Sequence, residues 1–316
     1  MELCPNGDIS YIIPNTLLNN LYLGDLRKKM IQETNITHLI NFDKSVFEAT
    51  VHSLILQFHN TKLEKNKKTY MAWNLNKKVF YLNQEDFKKN DNFAFQFLDN
   101  AESNFFLKLN KNSFRFDQIL DLRIGIKTGN DKIYITSEPK GNAKKILRGK
   151  DVSKYRYTEP KLFVNYGKHL ACPSSENIFN QPHILIREAG KTITATIDYE
   201  HFYIMSSLYC GVMKTKEISI EYMLGLINSK LFQYLMYKIN FENTQGAFTK
   251  ARIFHYNQLP IIMPNKKDEK KITDLVKNML KNGIDKNIES EIDNLIYNIY
   301  RINEEEISLI ETISTI

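Results

Sequence analysis

Short apolar blocks separated by polar turns run through the first sixty residues. Ile9–Pro14 (ISYIIP) follows the turn signal Asn6–Gly7–Asp8 and predicts a strand closed by proline. Apolar residues at Leu17, Leu18, Leu21, Leu26 and Met30 have helical spacing, predicting a helix over Leu17–Glu33 with Asn15–Thr16 as its N-cap. Ile36–Phe42 and Val51–Phe58 are nearly continuous in apolar character, as strands buried on both faces of an α/β sheet are. Strand, helix, strand and a further strand make half of a doubly wound fold. Lysine-rich Thr61–Lys68 reads as a solvated loop. Thr69–Leu75 and Lys78–Leu82 predict a hairpin across Asn74–Lys77, and Asn92–Glu102 an amphipathic helix. The polar run Lys108–Asn112 marks a boundary.

Beyond it the pattern changes to short strands. In Leu122–Tyr157 an apolar run leads into a Gly125–Gly129 loop with Lys127, Thr128, Asn130 and Asp131 on or beside it. The strand-like KIYIT follows, then a basic helix-like turn ending in Leu147–Arg148–Gly149–Lys150–Asp151. Such a loop suits a polar ligand surface, and it equally resembles many hairpin turns. Leu162–Asn165, His183–Arg187, Thr192–Ile197 and Phe202–Met205 predict further strands. Glu221–Ile239 predicts a five-turn helix whose apolar stripe fits a core-facing role at least as well as a functional one. Thr244–Pro264 is a polar turn leading into two proline-closed apolar segments. Asn265–Gly283, Asn287–Arg301 and Asn303–Ile313 predict helices with charged outer faces.

A chain of 316 residues, 42% hydrophobic and 25% charged, can bury two cores of ordinary size. No apolar run reaches the roughly 18–20 residues of a bilayer span, and the N-terminus lacks the marks of a secretion signal. Cys4, Cys172 and Cys210 form neither a CxxC pair nor a disulfide framework, so a cytoplasmic, non-membrane protein is expected. The net charge of +7 permits a polyanionic partner, although AT-rich coding enriches Lys, Asn and Ile whatever the function.

The chain contains no Gly-x-Gly and no Pro-Pro, which leaves no candidate for a cofactor pocket built on a Gly-rich strand-to-helix turn. Gly190–Lys191–Thr192 imitates the end of a phosphate-binding loop, but Leu185 stands where its first glycine belongs. No HExxH or spaced His/Cys set suggests a metal. The triplets Glu138–Pro139–Lys140 and Glu159–Pro160–Lys161 resemble the end of a nuclease metal site. The nearest aspartates, Asp131 and Asp151, do not stand on clear strands. These residues predict no complete enzyme.

Three blocks together resemble the TaqI-like adenine-N6 DNA methyltransferases and the combined type II restriction–modification proteins. Gly7–Met30, Ile36–Phe42 and Val46–Phe58 resemble the rear half of their catalytic domain. GIKTGNDKIYI and ILRGKDVSKY resemble the opening of their target-recognition domain. YMLGLINSKLFQYLMYKI, TQGAFTKARIFHYNQLPI and IDNLIYNIYRINEEEISLIE match its closing elements in order. The resemblance implies a partial α/β, Rossmann-like methyltransferase half over 1–109. An α+β target-recognition domain over 110–264 and C-terminal helices packed on it over 265–316 follow. The glycine-rich cofactor motif and the Asn/Asp-Pro-Pro-aromatic motif of the family are absent. The implied function is therefore sequence-specific recognition of double-stranded DNA as the C-terminal part of such an enzyme. No cofactor is bound by this chain alone, S-adenosylmethionine serves the complete enzyme, and a companion polypeptide could carry the catalytic half.

By the same resemblance Phe47 stands where an aromatic stacks on the flipped adenine, though a buried strand-edge Phe looks the same. Side chains that tell base pairs apart are forked or amide-like, whereas lysines more often hold phosphates. The expected DNA-binding set is Lys127, Thr128, Asn130, Lys132, Arg148, Lys150, Arg187, Lys191, Gln245, Lys250 and Arg252. A stand-alone DNA-binding protein and a Mg-dependent nuclease are the alternatives.

Overall fold

The computed structural model describes residues 4–42, 52–61, 68–73, 77–141, 143–240 and 250–312. The expected site residues Phe47 and Gln245 lie outside them. Two compact units emerge, one of residues 1–108 with 237–247, the other of 109–236 with 248–316.

The first unit is built on a five-stranded sheet. Its strands are β1 (Asp8–Pro14), β2 (Asn35–Asn41), β3 (Ser53–His59), β4 (Lys68–Trp73) and β5 (Lys77–Asn83), in the order β1-β3-β2-β4-β5. β3 is antiparallel to both β1 and β2, β2 is parallel to β4, and β5 is antiparallel to β4. The sheet is thus mixed, not the parallel half-sheet expected. β1, β2 and β4 run one way, and β3 lies between β1 and β2, antiparallel to both. β1, the strand expected to close at Pro14, stands at one edge of the sheet and is largely exposed. The β4–β5 hairpin forms as predicted.

The helix expected over Leu17–Glu33 is broken: two 3-10 turns (Asn15–Leu18, Leu21–Leu23) precede the α-helix Gly24–Glu33. Arg27, fully buried, explains the break. Its guanidinium donates to the carbonyls of Leu17 (3.0 Å) and Asn20 (2.9 Å), which a continuous helix would keep for itself, and to that of Asn92 (2.8 and 3.2 Å). Burial pulls its pKa down to about 10. The buried Gln84 pins the end of the helix to β2: its amide donates to Ile31 and Thr34 carbonyls and accepts from the Ile36 N–H (2.7 Å). The helix expected over Asn92–Glu102 runs instead from Asn100 to Asn110, with Asn92 at positive φ. The Asp99 carboxylate accepting from the Glu102 N–H (2.9 Å) sets that start, as an N-cap does.

The second unit holds β6 (Phe114–Arg115), β7 (Leu120–Ile124), β8 (Ile135–Thr136), β9 (Ala143–Leu147), β10 (Val152–Ser153), β11 (Arg156–Tyr157), β12 (Leu162–Asn165), β13 (His183–Arg187), β14 (Ala195–Asp198), β15 (Tyr203–Ile204), β16 (Leu208–Met213) and β17 (Pro260–Ile261). Two four-stranded sheets, β15-β9-β12-β8 and β14-β13-β16-β7, share a core that includes Ile126, Leu147, Val164, Phe179, Leu185, Ile204 and Cys210. Two local expectations fail here. KIYIT begins as a helical turn, Asp131–Tyr134, before the short β8. The basic segment before Arg148 is the strand β9, because burial of Ile146 and Leu147 and antiparallel pairing with β12 outweigh the helix propensity of Ala-Lys-Lys.

The apolar stretch expected as one helix over Glu221–Ile239 is two, Ile220–Asn228 and Lys230–Ile239. The break is at Ser229, whose backbone is extended and whose hydroxyl donates to the Leu226 carbonyl (2.7 Å). The side chain of Asn228, the last helical residue, clamps β14: its oxygen accepts from the Ala195 N–H (3.1 Å) and its amide donates to the Ala195 carbonyl (3.0 Å). Asp293 then accepts from the Lys230 N–H (2.9 Å) to start the second helix. The C-terminal helices follow prediction closely, as Lys266–Asn282, Lys286–Ile299 and Glu304–Glu311. Gly225 lets the first of these approach the helix Ile220–Asn228; a Cβ there would stand 3.0 and 3.1 Å from methyl groups of Ile272 and Val276.

Candidate nucleic-acid interface

Segments far apart in the chain meet on one four-residue turn, Met205–Leu208, between β15 and β16. The turn closes on itself through the Leu208 N–H donating to the Met205 carbonyl (2.9 Å). On one side it receives the Gly125–Lys132 loop. Ile126 donates to the Ile204 carbonyl (2.8 Å), Ser206 to that of Ile126 (2.9 Å), and Gly125 to that of Leu208 (3.0 Å). Gly125 is required, since a Cβ would lie 2.4 Å from the Met205 carbonyl oxygen. On another side it receives the Arg148–Asp151 turn: Met205 donates to the Leu147 carbonyl (2.9 Å) and Gly149 to Ser207 Oγ (2.9 Å). The Ser207 carbonyl also accepts from Glu188 (3.0 Å), which fixes the start of the loop after β13. That loop pairs through Ala189 with Lys250.

Each expected residue can now be placed. Lys127 is exposed, its backbone locked by two 2.8 Å hydrogen bonds with Cys172. Thr128 is buried and its hydroxyl donates to Asp131, so it shapes the loop and its side chain is turned away from solvent. Gly129, at φ 83°, supplies the left-handed turn. Asn130 and Lys132 are exposed at the loop tip. Arg148 is partly exposed and Lys150 exposed. Arg187 ends β13 half-buried, and Lys191 stands exposed on a loop that Gln233 pins, accepting from the Ile193 N–H (2.7 Å) and donating to its carbonyl (3.1 Å). Lys250 pairs with Glu188 at 3.4 Å. Arg252 is exposed, and its backbone N–H donates to His255 Nδ1 (3.2 Å).

These segments carry the cations Lys127, Lys132, Arg148, Lys150, Arg187, Lys191, Lys250 and Arg252 against the carboxylates Asp131, Asp151 and Glu188. The side chains of Lys127, Lys132, Lys150 and Lys191 form no ion pair among the described residues. An unpaired excess of ammonium groups on short, pinned loops is an anion-attracting surface. The nuclease alternative gains nothing: Glu159 is ion-paired with Lys145 at 2.6 Å. Among the described residues no group of three or more His, Cys, Asp or Glu could hold a metal.

His255 ties this surface to pH. Burial, and secondarily Arg252, pushes its pKa down to about 3 from 6.5, so it folds neutral. The unfolded chain takes up a proton near 6.5 and the folded chain does not, so stability is full above 6.5 and falls as pH drops towards 3. The loss is about 1.4 kcal/mol per pH unit for one site. Urea midpoints measured from pH 7 to 4.5 should decline, and His255→Gln should flatten that decline.

Sequence reasoning missed the Met205–Leu208 turn. Its only signal was the polar pair Ser206–Ser207 between two apolar strands. It also missed the buried pair of His183 Nε2 and Asp198 Oδ2, 3.4 Å apart.

Residues 144–261 match the family model described as the TaqI-like C-terminal specificity domain, and residues 1–47 match that of the Eco57I restriction-modification methylase. No curated protein matches the chain. The fold is similar to that of the Type IIL restriction-modification enzyme MmeI, solved in complex with DNA, with a TM-score of 0.59 at 12% identity. That match covers 98% of this chain and 50% of the other. It is also similar to a nuclease-deletion mutant of the Type ISP enzyme LlaGI, solved with a DNA substrate mimic, with a TM-score of 0.51 at 9% identity, covering 87% of this chain and 29% of the other. The chain thus spans about half the length of MmeI. Residues 144–261, which carry most of the Met205–Leu208 assembly, thus resemble a TaqI-like C-terminal specificity domain, and the methylase match lies ahead of them in the chain.

Proposed function

We propose that this chain recognises double-stranded DNA sequence within a restriction–modification system, with 110–264 as the target-recognition domain and 265–316 as helices packed on it. Residues 1–109 are the rear part of a methyltransferase-like α/β domain. The observation that carries the reading is the convergence of three cationic segments on the Met205–Leu208 turn, with Lys250 joined to the third of them through Ala189. Lysines on the loops would neutralise phosphates, and the forked and amide side chains among them would meet base edges.

The parallel run of β1, β2 and β4 supports the methyltransferase assignment of the first unit, as does the methylase match over 1–47. S-adenosylmethionine would serve the complete adenine-N6 enzyme. The residues of this chain do not fit it: the β1-to-helix connection Asn15–Leu23 has no glycine, and the Asn92 side chain fills the space over Gly24. The catalytic half would come from a companion polypeptide or another segment. A cytoplasmic site of action follows from the DNA substrate; among the described residues no helix is long and apolar enough to cross a membrane.

Fluorescence anisotropy with a labelled duplex tests the reading. Affinity should fall steeply from about 50 to 200 mM salt, with a log–log slope of roughly −3 to −6 as several phosphates shed their counterions. Absent or salt-independent binding would sink it.

A further inference from the structure

We infer that Arg148 reads a guanine base, not a phosphate, and that Asp151 is the residue that positions it; this rests on the DNA-recognition reading above. Arg148 is the last residue before a 3-10 turn, Gly149–Asp151, whose geometry is fixed at both ends. The Arg148 N–H donates to Asp151 Oδ2 (2.8 Å), and the Gly149 N–H donates to Ser207 Oγ (2.9 Å). Gly149 itself lies so close to the Met205–Leu208 turn that a Cβ would meet the Ser207 carbonyl oxygen at 3.0 Å. The backbone that carries Arg148 therefore has little freedom.

The side chain is restrained as well. Its Nε faces Asp151 Oδ2 at 3.7 Å, and the side chain is 37% exposed. Nε is enclosed and has no hydrogen-bond partner, so it is held by charge from one flank, and the terminal nitrogens have no partner among the described residues. The outer edge of a guanidinium presents two parallel donors, which match the O6 and N7 acceptors of guanine in the major groove.

The carboxylate decides between base and phosphate. Asp151 offsets much of the charge that would draw Arg148 to a phosphate, and it would repel a phosphate brought to the same edge. A guanine edge has acceptors but no net charge, so the neighbouring carboxylate costs it little. The lysines have the opposite design. Lys127, Lys150 and Lys191 are exposed and flexible, and they form no ion pair among the described residues, as phosphate contacts require. A charge-compensated fork on a fixed backbone, among exposed ammonium groups without ion pairs, is a division of labour between reading and gripping.

The test is selection of bound duplexes from a randomised library, followed by anisotropy on the selected site and on its single-base variants. The wild-type chain should select a motif with a G·C pair that it prefers by about 10- to 100-fold over other pairs at that position. Arg148→Lys keeps the charge but loses the fork. It should abolish that preference while leaving the preferences at other positions and the salt slope in place. Asp151→Asn keeps the acceptor for the Arg148 N–H and removes the charge. It should weaken the preference at the same position alone, a change that a purely structural role for Asp151 would not confine to one base pair. Thermal melts check that both variants fold. If Arg148→Lys instead weakens every sequence equally, or Arg148→Ala lowers the salt slope by about one, Arg148 is a phosphate contact and the inference is overturned. An unchanged motif, or a wild-type chain that binds duplex with no preferred motif, overturns it while leaving DNA binding intact. A wild-type chain that retains no duplex overturns this inference and the DNA-recognition reading together.

Discussion

Converting Lys127, Lys150 and Lys191 together to Gln should lower affinity for a non-specific duplex by about 10²-fold near 0.1 M salt and flatten the salt slope by roughly three. The three ammonium groups are exposed and unpaired among the described residues, so their loss removes no contact from the fold. Melting temperature should stay within the small range of ordinary surface changes. The effect on binding is large because each phosphate neutralised returns a condensed counterion to solution, and that gain is steepest at low salt. A control separates this surface from bulk charge. Lys267, Lys270 and Lys281, exposed on the helix Lys266–Asn282, remove the same charge when changed to Gln and should cost little. Equal losses in the two triple variants would show that net charge, not the assembly around Met205–Leu208, attracts DNA. Lys250→Gln should have a weaker effect than any one of the three, since Glu188 already compensates that charge.

The cations of this surface were legible because their chemistry is local: a Lys or Arg beside a glycine declares itself in sequence. Their assembly was not. The Met205–Leu208 turn works through backbone groups and one serine hydroxyl, and backbone donors carry no sequence signature. Strands of high apolar content, β2, β3 and β13, were read correctly since burial alone dictates them. β9 was not, because Ala143–Lys144–Lys145 favours helix locally and only pairing with Leu162–Asn165 makes it a strand. Glu221–Ile239 kept its apolar period through Ser229, so nothing in the periodicity revealed that the backbone would break there while the Asn228 side chain bonds to β14. In the first unit, the order of strands depended on which neighbour β3 chose, a non-local decision.

Asp198→Ala should destabilise the second unit by about 3–5 kcal/mol and weaken duplex binding through the same loss. Asp198 is fully buried. Its carboxylate accepts from the N–H groups of Glu200 (2.8 Å) and Phe202 (2.6 Å), folding the segment that delivers β15 to β9 and leads into Met205–Leu208. It also faces His183, whose Nδ1 lies 2.8 Å from the Gln181 carbonyl and must therefore carry a hydrogen. With that proton committed, the contact between His183 Nε2 and Asp198 Oδ2 requires one more proton to be attractive. Burial drives the His183 pKa down and that of Asp198 up, which favours the neutral arrangement with the proton on the carboxyl group. Burial also raises the nearby Tyr157 hydroxyl to about 12, with Asp198 adding to the shift. Alanine would leave two buried backbone donors unpaired and remove the one group that faces His183 Nε2, which makes no hydrogen bond. Asp198→Asn keeps one acceptor, so it should lose roughly half as much. Urea unfolding measures both, and a cost below about 1 kcal/mol for Asp198→Ala would mean that the turn holds without its carboxylate. If the unit is destabilised yet the folded fraction binds duplex with undiminished affinity, Asp198 supports the fold but not the placement of the loops on Met205–Leu208.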